Sequence, residues 1–241
     1  MSEDVAWTRT TPACLAREVL LTGAIRPLIA LYGRRSVDGL HHLGGLRPPV
    51  IFVANHCSHI DTPLILGALP WSWRRRTGVA AATDYFYERQ LLAHTVSLAF
   101  GTVPVERNGG NAVTSSLDRL LDENWNLVLF AEGTRSRNGK VGALQSGAAV
   151  LASEHGVPIV PVYVSGTHET MPPGRSWMRR ARGHRRQRIS VSVGPPIAPR
   201  PRAERREVME QVRLFFASRG AATTPNKRLA SKRREAIPSG H

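Results

Sequence analysis

Short apolar runs that alternate with segments of helical patterning constrain the fold of this 241-residue chain more than any other feature. Each run is rich in β-branched residues and ends at a turn signal, which is typical of a buried strand. Strands that alternate with helices pack into a sheet with helices on its faces, so the chain is predicted to be an α/β protein. The predicted strands cover residues 49–55, 78–82, 126–133, 157–166 and 188–197, and the predicted helices cover residues 61–69, 85–99, 112–124, 143–156 and 202–218.

Positive charge is concentrated towards the carboxyl terminus. The whole chain carries 33 Lys and Arg against 18 Asp and Glu, and residues 171–241 alone carry 18 basic and 4 acidic side chains. Such a block attracts phosphate groups, either of a nucleic acid or of an anionic membrane surface. A nucleic-acid-binding protein would need a recognition helix or strands with interleaved aromatic residues, and the sequence offers neither pattern. Residues 220–241 are predicted to form a basic, disordered tail.

Residues 1–35 are predicted to form an amphipathic helical segment ahead of the sheet. Apolar side chains recur at helical spacing within residues 13–32, where Pro27 divides the pattern. The stripe fits a helix that covers the core and fits equally a helix that lies in a membrane interface. We expect no transmembrane helix, because no run of roughly 18 apolar residues is free of charge. The acidic start of the chain also argues against a secretory signal.

The loop after the first long strand, residues 55–61, concentrates reactive side chains in the sequence "NHCSHID". A metal site is one interpretation, but the spacing of His56, His59 and Asp61 matches no familiar zinc pattern. A nucleophile with its base is a second interpretation, but the cysteine and serine lack the G-x-S-x-G context of a nucleophile elbow. Residues 131–136 leave another buried strand at its carboxyl end, so the two loops are expected to share one cleft.

The third interpretation is a general base with an orienting carboxylate. A turn between a strand end and a helix start can bring His56 and Asp61 together. The carboxylate would hold one ring nitrogen as N–H and leave the other free to take a proton from a bound hydroxyl. Taken alone, the pattern is explained equally well by a loop histidine beside a helix cap at Asp61.

Four sequence blocks, taken together, favour the third interpretation. In their order and spacing they resemble the glycerolipid acyltransferase family, that of the 1-acylglycerol-3-phosphate acyltransferases. The resemblance implies a single acyltransferase domain over residues 36–219, built as a mixed sheet flanked by helices. The blocks are "NHCSHID" at 55–61, "GTVPVERN" at 101–108, "FAEGTRS" at 130–136 and "VPIVPV" at 157–162.

The resemblance implies transfer of a fatty acyl group from acyl-CoA or acyl carrier protein to the free hydroxyl of a lysophospholipid, above all 1-acyl-sn-glycerol 3-phosphate. His56 would be the general base and Asp61 its orienter. No metal or other cofactor is expected, because the thioester is already activated. The implied substrate-binding residues are Arg107, Asn108, Glu132, Gly133, Thr134 and Arg135, and Val160 and Pro161 would line an acyl pocket.

Within these implied contacts, two arginines and two amides have distinct tasks. Arg107 and Arg135 are expected to clamp a phosphate, since a guanidinium pairs with two phosphate oxygens at once. The amides around Gly133 and Thr134 are candidates for stabilising the oxyanion that forms when the hydroxyl attacks.

The chain departs from the family pattern at two positions. Ala131 replaces a proline in the third block, and Gln145 stands where relatives have a lysine within F-K-x-G. The second change leaves open a different acceptor: another lysolipid, an amino-acid lipid or a glycolipid. The Arg-rich stretch 175–188 would lie against anionic lipid or against the phosphates of CoA. We therefore expect peripheral attachment to the cytoplasmic face of the cell membrane.

Overall fold

A seven-stranded sheet forms the centre of the protein. The computed structural model describes residue 7 and residues 9–82, 99–105 and 111–221. The sheet order is β1–β7–β6–β2–β5–β3–β4. Its strands are β1 (Gly33–Asp38), β2 (Ile51–Ala54), β3 (Thr77–Ala82), β4 (Thr102–Val105), β5 (Asn126–Phe130), β6 (Ile159–Ser165) and β7 (Gln187–Val193).

Strand direction divides this sheet into two parts. The five strands from β6 to β4 are mutually parallel, whereas β7 runs antiparallel to β6 and carries β1 parallel to itself. The prediction of a mixed α/β sheet is therefore confirmed. Because β2, β5 and β6 are parallel neighbours, their carboxyl ends meet at one edge of the sheet, and the loops that follow β2 and β5 emerge there together.

Helices cover both faces of the sheet. The helices Asn111–Asp122, Gly147–His155 and Arg205–Ser218 bury their apolar sides in one core cluster, while Arg26–Tyr32, Asp61–Ala68 and the turn Leu21–Ile25 contribute to the other. The helices are α1 (Thr11–Leu20), α2 (Arg26–Tyr32), α3 (Asp61–Ala68), α4 (Trp71–Arg74), α5 (Asn111–Asp122), α6 (Gly147–His155), α7 (Thr167–Thr170) and α8 (Arg205–Ser218), with a π-helical turn at Leu21–Ile25 and 3₁₀ turns at Leu40–Leu43, Arg182–His184 and Arg202–Glu204.

The central strand β2 is covered on both faces of the sheet, which explains why its sequence is apolar at every position and does not alternate. Ile51 and Val53 pack into the cluster beneath α5, α6 and α8, while Phe52 and Ala54 pack into the cluster beneath α2 and α3. Successive side chains of a strand point to opposite faces, so a strand covered on both sides needs an apolar residue at every position. All four side chains are fully buried.

The edges of the sheet differ most from the sequence-based prediction. The outer strands β1 and β4 were not predicted, and the predicted helix over residues 85–99 lies almost entirely outside the described residues. The predicted helix at residues 143–156 begins later, at Gly147, and ends as predicted at Gly156, which has a left-handed backbone. The predicted basic tail from residue 222 onwards also lies outside the described residues.

The amino-terminal segment contributes to the core and also exposes apolar surface. Leu21 and Ile29 are buried in the cluster beneath α2 and α3. Leu15 and Val19 are 54% and 71% exposed. The predicted boundary at residue 35 falls inside β1. Among the described residues, no helix combines the length and the apolar character that a membrane span requires.

Gly39 and Gly45 make a matched pair for testing one tight junction of the fold. Both have positive φ, but a Cβ on Gly39 would lie 1.9 Å from the Val193 carbonyl oxygen, whereas a Cβ on Gly45 would meet no described atom within 4 Å. We expect Gly45→Ala to lower the free energy of unfolding by about 1–2 kcal/mol through backbone strain alone. Gly39→Ala should cost at least about 2 kcal/mol more, because a backbone must also move. Urea denaturation measures both, and equal losses would contradict the described junction.

Candidate active site

The first and third sequence blocks meet at the carboxyl ends of two adjacent strands. Ala54, the last residue of β2, lies opposite Phe130, the last residue of β5. The Ala131 amide donates to the Ala54 carbonyl at 2.9 Å, which extends the pairing one step beyond the strands. The loops that begin at Asn55 and Ala131 therefore start side by side, as the sequence predicted.

His56 and Asp61 form a hydrogen-bonded pair in this cleft. His56 Nδ1 lies 2.9 Å from Asp61 Oδ2, and the same oxygen accepts the amides of Cys57 at 2.7 Å and Ser58 at 2.8 Å. The Asp61 side chain is fully buried, while 18% of the His56 side chain is exposed. With Nδ1–H donated to the carboxylate, Nε2 keeps its lone pair and can accept a proton. The pair thus has the geometry of a base with its orienter.

Asp61 is the first residue of α3 rather than its cap. Ile60 occupies the cap position and makes no side-chain hydrogen bond there. The Asp61 carboxylate points back to the loop instead and accepts hydrogen bonds from the amides of Cys57 and Ser58. The alternative interpretation of Asp61 as a helix cap was therefore wrong, because the loop amides take the carboxylate instead.

The His56 ring is also held by stacking. It lies on the Phe130 ring with centroids 3.9 Å apart and the two planes only 19° from parallel. The ring therefore has its edge fixed by Asp61 and its face fixed by the end of β5. Fixing both leaves Nε2 with a defined direction, which is what a general base requires before substrate binds.

Glu132 ties the main chains of the two loops together. Its Oε1 accepts the His56 amide at 3.2 Å and its Oε2 accepts the Gly142 amide at 2.8 Å. The Ser136 amide in turn donates to the His56 carbonyl at 2.7 Å. Burial raises the pKa of Glu132, and the hydrogen bonds from the Gly142 and His56 amides oppose that rise. Both carboxylate oxygens are engaged by backbone, which differs from the predicted contact with substrate.

Arg135 lies beside His59, a residue to which the sequence analysis gave no role. Arg135 Nη1 is hydrogen-bonded to His59 Nε2. Burial, and then the charge of Arg135, lowers the pKa of His59 to about 4. A neutral imidazole accepts a hydrogen bond from the guanidinium without repelling its charge, so His59 positions Arg135. Its position three residues after His56 was visible in the sequence, but its partner lies 76 residues away along the chain.

The turn that follows β5 depends on Gly133. Gly133 has φ +68, and its amide donates to the Phe130 carbonyl at 3.0 Å. That amide is therefore not available for an oxyanion, contrary to the prediction. Within the described part of the chain, no residue accepts the Thr134 amide, and Thr134 is exposed. Of the two predicted donors, the Thr134 amide is therefore the one without an acceptor among the described residues.

The two residues predicted to line an acyl pocket, Val160 and Pro161, do not share one wall of the cleft. Val160 is fully buried in the cluster beneath α3. The Pro161 ring lies on the other face of the sheet, where a Cβ on Gly194 would be 2.7 Å from its Cγ. Consecutive strand residues point to opposite faces, so the two cannot line one pocket. Arg107 and Asn108 lie outside the described residues.

Comparison with known proteins places this site in a family. The family model for acyltransferases matches residues 34–165, which is more than half of the chain. The chain belongs to the acyltransferase family. The matched range contains all four sequence blocks and every predicted site residue.

Individual relatives agree with this membership. The chain is 31% identical over 144 residues to the chloroplastic 1-acyl-sn-glycerol-3-phosphate acyltransferase LPAT1 of Arabidopsis thaliana, covering 58% of this chain and 38% of the relative. It is 30% identical over 146 residues to the chloroplastic enzyme BAT2 of Brassica napus, covering 58% and 40%. The chain thus spans about two-fifths of the length of these curated relatives.

A solved structure shares the fold. The 1-acyl-sn-glycerophosphate acyltransferase of Thermotoga maritima superposes with a TM-score of 0.63 at 23% sequence identity, covering 84% of this chain and 81% of that one. At this level of identity the likeness extends to the fold alone. It includes the mixed sheet with helices on both faces.

Two further polar residues of the first block, Asn55 and Ser58, act as supports in this acyltransferase-family chain. The Asn55 side chain accepts the Val164 amide at 2.7 Å and donates to the Val164 carbonyl at 2.9 Å. Ser58 Oγ donates to the Met171 carbonyl at 2.7 Å. Asn55 and Ser58 are both buried. They bind the loop to β6 and to the segment after α7, which fixes where His56 starts.

Cys57 is poorly suited to act as a nucleophile. Burial first, and then the charges of Asp61 and Glu132, raise the pKa of its thiol to about 12. The thiolate is the reactive form, so the group is inert near neutral pH. In the described part of the chain, no three His, Cys, Asp or Glu side chains group as a metal site. The His56–Asp61 pair is therefore the reactive feature of the loop.

His59→Gln should remove one source of acid sensitivity. A histidine in the unfolded chain titrates near pH 6.5 and His59 in the fold near pH 4, so the folded state binds this proton more weakly. Its contribution to stability is full above pH 6.5 and declines as the pH falls towards 4. Glutamine still offers an oxygen to Arg135 but does not titrate. The melting temperature of His59→Gln should therefore fall less between pH 7 and pH 5 than that of the wild type. Exposed His41→Gln is the control, and parallel slopes for wild type and His59→Gln would contradict the assignment.

Proposed function

We propose that this chain transfers a fatty acyl group from an acyl thioester to the free hydroxyl of 1-acyl-sn-glycerol 3-phosphate, forming phosphatidic acid. The observation that carries the proposal is the His56–Asp61 pair, with Nδ1 held at 2.9 Å by a buried carboxylate and Nε2 left to accept a proton. Family membership and the activity for which the plant relatives are named support the acceptor.

The proposed reaction needs no nucleophile from the protein. His56 Nε2 takes the proton as the acceptor hydroxyl oxygen attacks the thioester carbonyl carbon. The tetrahedral oxyanion then collapses, the carbon–sulfur bond breaks, and the departing thiolate takes the proton from His56. Asp61 keeps the ring in one tautomer and stabilises the imidazolium between the two proton transfers. The Thr134 amide is the candidate donor to the oxyanion.

Arg135 is proposed to bind the phosphate of the acceptor. Its guanidinium is held by neutral His59 in the same loop as the base, and it makes no ion pair with a carboxylate in the described ranges. Arg107 remains a proposed second clamp. Gln145, in place of the lysine of relatives, is exposed, and its side chain lies beside Gly133. This change at the mouth of the cleft favours testing a second candidate: the same reaction on another lysolipid, an amino-acid lipid or a glycolipid.

We also propose that the protein works at the cytoplasmic face of the cell membrane, peripherally attached. The Arg-rich stretch docks on the amino-terminal helices: Trp177 Nε1 donates to Tyr32 Oη at 2.9 Å, and Arg186 donates to the Ala30 carbonyl at 3.3 Å. These contacts unite exposed apolar side chains of the helices with basic side chains. Such a combination suits the boundary between anionic headgroups and acyl chains. The donor is acyl-CoA or acyl carrier protein.

Loss of either member of the catalytic pair should abolish most turnover. With long-chain acyl-CoA and a panel of lysolipids, we expect wild type to form phosphatidic acid. His56→Ala should lose about 10²–10⁴-fold in kcat, the usual share of a general base. Asp61→Asn should lose about 10⁴-fold, as expected when a histidine loses the carboxylate that sets its tautomer.

A second histidine–aspartate pair supplies the matched control. His155 Nε2 lies 2.8 Å from Asp118 on the outer helices, away from the cleft. His155→Ala should keep full kcat even where the melting temperature falls.

Products identified by mass spectrometry decide the acceptor: a different His56-dependent product would replace phosphatidic acid as the assignment. Wild type that leaves both acyl-CoA and acyl carrier protein thioesters intact with every acceptor would overturn the proposed function.

Two equally exposed leucines test membrane attachment. Leu15 on α1 is 54% exposed, and Leu214 on α8, outside the amino-terminal helices, is 56% exposed. We expect Leu15→Glu to weaken flotation with anionic vesicles about tenfold, since burying a leucine contributes about 1.5–3 kcal/mol. Leu214→Glu should change little. Wild-type protein that ignores anionic vesicles at low salt would contradict attachment.

A further inference from the structure

A basic cleft lies between α2, the start of β1 and the start of α3. Its volume is about 640 Å³, and no carboxylate is among the residues that line it. Four arginines contribute to its wall: Arg26 from α2, Arg34 and Arg35 from β1, and Arg186 from the residue before β7. The rest of the wall is mostly apolar and includes Pro27, Ile29, Pro63 and Leu64.

The charges of this cleft are not balanced by the protein. Arg74, which packs nearby, shows what balance looks like: its Nε donates to Glu18 at 2.8 Å. In the described ranges, no carboxylate forms an ion pair with any of the four cleft arginines. Asp38, the acid of β1, pairs with Arg219 instead. A cluster of like charges around a concave surface raises the local concentration of anions.

Two of these arginines lie over the same glycine of α3. A Cβ on Gly67 of α3 would lie 3.1 Å from Arg35 Nη1 and 3.4 Å from Arg26 Cδ, so both side chains cross the helix where it has no side chain. Burial, and then the charges of Arg26 and Arg74, lower the pKa of Arg35. A bound anion would relieve this repulsion. A phosphate fits best, since guanidinium groups pair with its oxygens two at a time.

The cleft opens at the same edge of the sheet as the active site. β1 is parallel to β7 and β7 is antiparallel to β6, so β1 begins at the edge where β2, β5 and β6 end. Pro63 and Leu64 lie two and three residues after Asp61, less than one helical turn along α3. A molecule in the cleft would therefore be close to the catalytic loop without occupying it.

We propose that this cleft binds the headgroup phosphate of an anionic membrane lipid, with Arg26 and Arg35 as its main ligands. The apolar wall indicates a lipid rather than a soluble phosphate, because a glycerol ester can cover Pro27 and Leu64 while its phosphate meets the arginines. The site extends the proposed membrane attachment from a diffuse basic surface to a defined lipid position. Occupancy would turn the His56 edge of the sheet towards the lipid layer.

Vesicle flotation of the full chain tests the site. The probes are phosphatidylcholine vesicles with and without phosphatidate, at physiological ionic strength. Arg26→Ala/Arg35→Ala should lose about tenfold or more of the phosphatidate-dependent partition, because each basic residue near an anionic leaflet adds to the attraction. Arg205→Ala/Arg206→Ala removes the same charge from α8 on the other face of the sheet. It should lose less than about twofold, since the Debye length is about 8 Å.

Two further measurements separate the sources of phosphate and guard against misfolding. Inorganic phosphate and free CoA are added as soluble competitors, and neither should displace the protein at concentrations where phosphatidate vesicles hold it. Arg35→Gln, which preserves most of the side chain's packing, replaces the double variant if thermal denaturation shows that the latter is unfolded. It should lose severalfold, and Arg35→Lys, which keeps the charge, should lose less.

Several outcomes would overturn the proposal. Equal losses in the cleft and α8 variants would show that binding follows total charge, and effective competition by CoA or inorganic phosphate would assign the cleft to a soluble phosphate. The reaction is assayed in parallel with detergent-dispersed lysolipid. Wild type that binds phosphatidate vesicles through the cleft but transfers no acyl group would overturn the proposed function and leave the lipid site standing. Normal turnover together with unchanged flotation of the cleft variant would overturn the lipid site and leave the proposed function standing.

Discussion

A single buried carboxylate oxygen organises the catalytic edge of this protein. Asp61 Oδ2 accepts hydrogen bonds from the His56 ring and from the amides of Cys57 and Ser58, all between 2.7 and 2.9 Å. Three consecutive residues thus wrap around one atom. Because burial removes water as an alternative partner, any other loop conformation would leave this carboxylate without its donors, at a cost of several kcal/mol. The position of the base follows from that requirement.

A second carboxylate performs the complementary task from the loop that follows the neighbouring strand β5. Glu132 holds the main-chain amide of His56, while Asp61 holds its ring and Phe130 lies against its face. The base is thus fixed through backbone, edge and face by the loop after β5, the first residue of α3 and the last residue of β5. Because the constraints exist before substrate arrives, little reorganisation is needed when the proton moves.

The sequence predicted the parts of this arrangement that depend on local spacing. The central strands and the His56–Asp61 pair were recognisable because an apolar run, a turn and a helix start follow one another within residues 49–69. The outer strand Gly33–Asp38 was missed because four of its six residues are exposed and its sequence, "GRRSVD", has no apolar run. The roles of Glu132 and His59 were missed for another reason: each is defined by a contact with the other loop, 76 residues away.

The Asn55 side chain continues the hydrogen bonding between β2 and β6 by one residue after β2 has ended. It pairs with both the amide and the carbonyl of Val164, as a strand residue would. Because the contact involves only the backbone of β6, it is indifferent to the side chains that β6 carries. The position of His56 therefore depends on the backbone of the sheet and not on the side chains that line the cleft. Substitutions of those side chains that alter substrate choice need not displace the base.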